Sequence, residues 1–130
     1  MAVSEATKKE IVKLISTELE KCCPPMVIKT RSEQGMQLMG NKEVVYGSKK
    51  ELVPGMWFVG VVANKTMVSF HFFPMYYNEK TFIPLIPNSI KLLKGKTCFN
   101  YTKTEQVDIK ELQALLKKGM EVWQKMGYMK

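Results

Sequence analysis

Residues 56–73, MWFVGVVANKTMVSFHFF, constrain the fold more than any other stretch of the chain. Two apolar runs rich in β-branched and aromatic residues flank the polar pair Asn64-Lys65. Each run is too short for a typical helix, and the pair reads as an antiparallel hairpin. A lone hairpin is marginal in water, so the remaining chain must extend the sheet and cover one of its faces. With a two-residue turn, Ala63 opposes Thr66 and pairing proceeds outward in step. One face then carries Trp57, Val59, Val61, Val68, Phe70 and Phe72, which is wholly apolar and reads as core. The other carries Phe58, Gly60, Val62, Met67, Ser69 and His71, with Gly60 opposite Ser69 and His71 opposite Phe58. Small residues beside a lone histidine leave room next to polar groups, which makes this second face the candidate ligand site.

The cover is legible at both ends. Over 4–22, Ile11, Leu14, Ile15, Leu19 and Cys22 fall on one helical stripe, with Ser4 as N-cap and Pro24-Pro25 as terminator. At the far end, Asp108 and Glu111 form a capping-box-like start, and Val107 with Leu112 a hydrophobic staple. Leu112, Leu115, Leu116, Met120, Trp123 and Met126 continue that stripe, and Gly127 stops it. Gly119 lies inside it and permits close approach to the sheet. Between the helices, MVIKT (26–30), GMQLMG (35–40) and EVVYG (43–47) read as short strands and 48–55 as a loop. Residues 75–87 read as an aromatic, proline-broken connection that is partly exposed. SIKLLK (89–94) reads as a short helix ended by Gly95 in the left-handed conformation, and 96–102 as a strand. The expectation is one α+β domain over 1–130, an antiparallel sheet packed by N- and C-terminal helices.

Charge and cysteines narrow the partners. Lys plus Arg number 20 against 12 acids, a net charge of +8, yet Arg31 is the only arginine. The lysines are scattered, whereas base readout leans on bidentate arginine, so this pattern argues against nucleic acid. Cys22, Cys23 and Cys98 show no CxxC spacing, and the chain has one histidine, which argues against zinc and for free thiols in a reducing compartment. No apolar run approaches the roughly 18 residues of a membrane span, and MAVSEATKKE has no apolar signal core. A cytoplasmic location without membrane contact is expected. Ten dispersed methionines fit gap-filling in a core.

Cys98, His71 and Asn100 invite a nucleophile, base and orienting amide, with Lys96, Cys98 and Asn100 on one strand face. A strand cysteine is more often a small buried hydrophobe, and that reading is preferred here. Lys96 after Gly95 lacks the GxxxxGK[ST] context of a nucleotide loop. Tyr76, Tyr77 and Phe82 form an outward contact patch suited to self-association.

The segments MVSFHFFPMY, IPNSIKLLKGKTCFNYTK and ELQALLKKGMEVWQKMGYM, in that order over roughly 56–130, resemble the YdhG-like family of small domains of unknown function. Tyr46-Gly47 lies where many members carry Tyr-Gly-Met-Pro, although this chain continues SKKELVPG. The resemblance implies helices packed on an antiparallel sheet, and one branch implies a frataxin-like iron chaperone. Iron handling of that kind needs clustered hard oxygen ligands, and here Glu5, Glu10, Glu18 and Glu20 are interspersed with lysines.

The resulting expectation is a non-catalytic domain that holds a small molecule in a pocket lined by Tyr46, Phe58, Gly60, Ser69, His71, Cys98 and Asn100. No cofactor, metal or catalytic residue is assigned. The alternatives are a protein-interaction or homo-oligomerising module, and behind it an iron-chaperone-like or thiol-dependent activity.

Overall fold

The N-terminal stripe folds as α1 (Glu5–Glu20), whose start is fixed by Ser4 Oγ accepting from the Thr7 amide at 3.2 Å. Ile11, Ile15 and Leu19 are fully buried beneath it. The structure is a computed structural model and describes residues 3–23, 25–46, 50–95 and 97–129, with the side chain of Tyr46 outside that description. Six strands form the main sheet: β1 (Val27–Ser32), β2 (Gly35–Met39), β5 (Trp57–Ala63), β6 (Val68–Phe72), β7 (Leu93–Lys94) and β8 (Cys98–Tyr101). Their order is β1-β2-β5-β6-β8-β7, and every neighbouring pair is antiparallel. β3 (Val44–Tyr46) and β4 (Glu51–Val53) pair separately as a small ribbon. The fold is therefore a single α+β domain.

One sheet face is core. Met36, Val61, Phe70 and Phe99 stand in register across four strands, and none is more than 1% exposed. Burying a side chain of this size contributes about 1.5–3 kcal/mol, so this row anchors the sheet. Against it pack α1, which touches β2, β5 and β6, and α3 (Ile109–Lys125), which lies beside α1. A Cβ on Gly119 of α3 would stand 2.8 Å from a Phe72 ring carbon and 2.9 Å from one of Phe58. The close approach expected at Gly119 is thus to phenylalanine rings.

Four local expectations are corrected. The loop at 48–55 contains β4. The connection at 75–87 begins with α2 (Pro74–Phe82), started by Pro74 and interrupted at Asn78. Its aromatic sequence resembles a strand or loop, but burial of Met75 and Phe82 fixes it as a helix against the core. Phe82 is fully buried and does not join an outward patch, whereas Tyr76 and Tyr77 are exposed. Residues 89–94 divide into a 3-10 turn (Ser89–Leu92) and β7, with Gly95 at φ +71° as expected.

The hairpin differs in register. Ala63 pairs with Val68 rather than Thr66, leaving a four-residue loop at 64–67. A two-residue turn would force Lys65 into a strained backbone angle. Asn64 resolves this with its side chain, whose Oδ1 accepts from the amides of Thr66 (3.1 Å) and Met67 (2.8 Å). The slip is two residues, which preserves the faces but changes the neighbours: Gly60 opposes His71, and Val62 opposes Ser69.

A second irregularity does exchange faces. Leu38 pairs with Val59 and Met39 with Trp57, so Phe58 is an extra residue, a β-bulge. Phe58 is thereby turned into the core, against Phe72 and Trp123 at ring separations of 6.1 and 5.9 Å. Trp57, expected in the core, lies half-buried with its ring 5.4 Å from Phe73.

Candidate functional site

The opposite sheet face carries no packed helix among the described residues. Thr30, Gln37, Gly60, His71, Cys98 and Lys94 stand in one row across all six strands. The adjacent row is Ser32, Gly35, Val62, Ser69 and Asn100. Gly60, Ser69, His71, Cys98 and Asn100 therefore come together as expected. Phe58 does not, because the bulge directs it inward. Tyr46 belongs to the separate β3–β4 ribbon, and its side chain, like Gly47 and Lys96, lies outside the described residues.

A chain of hydrogen bonds fixes the polar half of this face. Asn64 Nδ2 donates to Ser69 Oγ at 3.1 Å, and Ser69 Oγ donates to Asn100 Oδ1 at 2.9 Å. Cys98 Sγ donates to the same Asn100 oxygen at 3.4 Å. The amide that would orient the His71 ring in a nucleophilic relay is instead the acceptor for the thiol and the serine. The three residues thus share a face without the donor order that such a relay needs.

His71 forms the other half. Its ring stacks toward Phe73 at 6.5 Å with an 18° interplanar angle, and Phe73 meets Trp57 edge-on. Burial lowers the His71 pKa below its ordinary value, so the imidazole is neutral at pH 7. A neutral imidazole presents one donor and one acceptor, which suits an uncharged polar ligand. Lys29 Nζ sits 4.1 Å above the Trp57 ring and adds a cation at the far end of the aromatic run.

The room expected at Gly60 is partly filled. Gln37 Cγ lies 3.2 Å from where a Gly60 Cβ would be, so the glutamine stem runs across it. The face has a polar end at Ser69 and Asn100 and an aromatic end at Trp57 and Phe73, and Gly60 and Ser69 are buried. Trp57 was missed because strand alternation carries no signal for the bulge, and Gln37 because nothing in the residues told which strand would pair with 56–63. Phe73 shares the parity of His71 and was read only as part of an aromatic run. Among the described residues no group of three or more His, Cys, Asp or Glu is gathered for a metal, and no helix is long and apolar enough to cross a membrane.

Comparison with protein-family models, curated proteins and solved structures gave no match to this chain. The residues alone carry the functional reading.

Proposed function

We propose that this chain is a non-catalytic binding module whose helix-free sheet face holds an uncharged, planar small molecule with hydrogen-bonding edges. The observation that carries this reading is the cross-strand row Gly60, His71 and Cys98 beside the Ser69–Asn100 hydrogen bond. The backbone at Gly60 has no side chain of its own, the neutral His71 offers a donor and an acceptor, and Phe73 and Trp57 give a ring something to lean on. Relationship to YdhG-like domains is part of the proposal, supported by the order hairpin, short turn, glycine, strand and helix over 56–130.

Ligand-observed NMR with a fragment library of neutral heteroaromatic amides tests the site. Fragments should bind the parent chain, shift the backbone resonances of His71, Cys98 and Asn100, and lose that binding in Gly60→Leu and His71→Ala. Shifts confined to other surfaces would refute the proposal.

A second reading, self-association through α2, is favoured by the exposed pair Tyr76 and Tyr77, whose rings lie 5.5 Å apart. Light scattering over a concentration series decides it, since a strict monomer unaffected by Tyr77→Ala ends that reading.

A further inference from the structure

β1 is one edge of the six-stranded sheet, and all six of its residues are exposed. Among the described residues it pairs only with β2, so half of its backbone donors and acceptors face outward. The ladder to β2 is irregular at Lys29, which leaves Thr30–Ser32 as the regular part of that edge.

Beside this regular part runs a groove of about 590 Å³ between α1 and β1. Its helix wall is Lys9, Val12, Lys13, Ser16, Thr17 and Glu20, a stripe at three- and four-residue steps that lies next to the core stripe. Its strand wall is Arg31, Ser32 and Glu33. Arg31 and Glu20 close one end by pairing with each other. Lys9 and Lys13 are exposed, one turn apart, and no ion pair or hydrogen bond engages either ammonium among the described residues. With Arg31 and Glu20 mutually neutralised, two lysines face the single carboxylate of Glu33 across the groove. The excess is positive.

A free strand edge alone attracts many partners. A free edge flanked by a cationic groove selects one whose alternate side chains are acidic. We infer that an extended acidic peptide segment of a partner protein adds to β1 as a seventh strand, its inward carboxylates meeting Lys9 and Lys13. Main-chain pairing with Thr30–Ser32 supplies the register, and the lysines supply the charge selection. The mixed lining favours a peptide over a bare phosphate, because Glu33 repels a compact multivalent anion while an extended chain spaces its charges. The groove opens on the helix side of the sheet, and β1 lies three strands from His71.

Fluorescence anisotropy with a fluorescein-labelled peptide alternating glutamate and valine tests this at low salt. Saturable binding is expected, weakened about tenfold or more by Lys9→Glu combined with Lys13→Glu. Both positions are exposed on α1, and circular dichroism verifies that the variant is folded. The same peptide carrying N-methyl groups on alternate amides should bind at least as poorly, because strand addition needs those N–H groups. Amide exchange should slow at Thr30–Ser32 on binding, and His71→Ala should leave affinity unchanged. The inference is overturned if the parent chain binds no peptide, if the N-methylated peptide binds as well as the parent peptide, or if inorganic phosphate displaces the probe at equal concentration.

Discussion

Glu111 offers the sharpest test of how the two halves of the chain are joined. As a helix-start residue it would ordinarily reach back to the Asp108 amide, completing a capping box. Asp108 does cap α3, its Oδ1 accepting from the Glu111 amide at 3.1 Å. The Glu111 carboxylate goes elsewhere: Oε1 accepts from the Ser89 amide at 2.7 Å and Oε2 from the Asn88 amide at 3.0 Å. It therefore caps the 3-10 turn that leads into β7. Ser89 and Glu111 are 5% and 7% exposed, so the Ser89 amide cannot turn to water if the carboxylate is removed. Asn88 is exposed and its amide can. Losing a hydrogen bond to a charged acceptor and stranding one buried donor together cost about 2–4 kcal/mol. Glu111→Ala should then lower the midpoint of thermal unfolding by roughly 6–20 °C for a domain of this size. Glu111→Gln, which keeps one carbonyl oxygen for Ser89, should cost about half as much. Urea unfolding gives the free energies, and native-state amide exchange at Ser89 gives the local loss of protection. If Glu111→Ala stays within about 0.5 kcal/mol of the parent, as an ordinary surface substitution does, the bridging role is wrong.

Three further outcomes are expected. At Gly119, alanine gains about 1 kcal/mol of helix propensity but drives a methyl into the Phe58 and Phe72 rings, and overpacking of that kind costs about 1–3 kcal/mol. Gly119→Ala should therefore be less stable in urea, and a more stable variant would show that the rings yield freely. His71 has a folded pKa below the ordinary 6.5, so the unfolded chain binds the proton more readily. Stability should be full above about pH 6.5 and fall as pH drops below it, with part of that slope absent in His71→Gln; identical slopes would refute the assignment. Burial and the neighbouring Cys23 and Glu18 charges push Cys22 up to about 11. Iodoacetamide at pH 8 should therefore label the half-buried Cys98 before Cys22, as read by mass spectrometry, and early labelling of Cys22 would count against its burial.

What was legible in the residues follows from which forces are local. The stripe of Ile11, Ile15 and Leu19 and the cap at Ser4 lie within single turns of helix, and both appear as expected. The left-handed glycines at 95 and 127 are equally local, since a missing Cβ is their whole cause. α2 was opaque because MYYNEK has no helical stripe of its own, and its fold depends on where Met75 and Phe82 find cover. The candidate site was half legible. Parity put Ser69 with His71 on β6 and Cys98 with Asn100 on β8, because a two-residue slip leaves parity intact, but only the pairing of β6 with β8 brings the two pairs together. The bulge left no mark in WFVGV, so Phe58 was assigned to the wrong side and Trp57 with it.

That extra residue also sets what the strand will tolerate. β5 undergoes a change of phase at position 58, so its first residue obeys one sidedness rule and the rest another. Deleting a single residue there would not merely shorten a ribbon. Without Phe58, Trp57 would sit next to Val59 in an unbroken ladder and still face outward, and the space against Phe72 and Trp123 would lose its ring. Designs built on this frame can therefore change the length of the 64–67 loop without moving either strand's faces, yet they have no such freedom at Phe58.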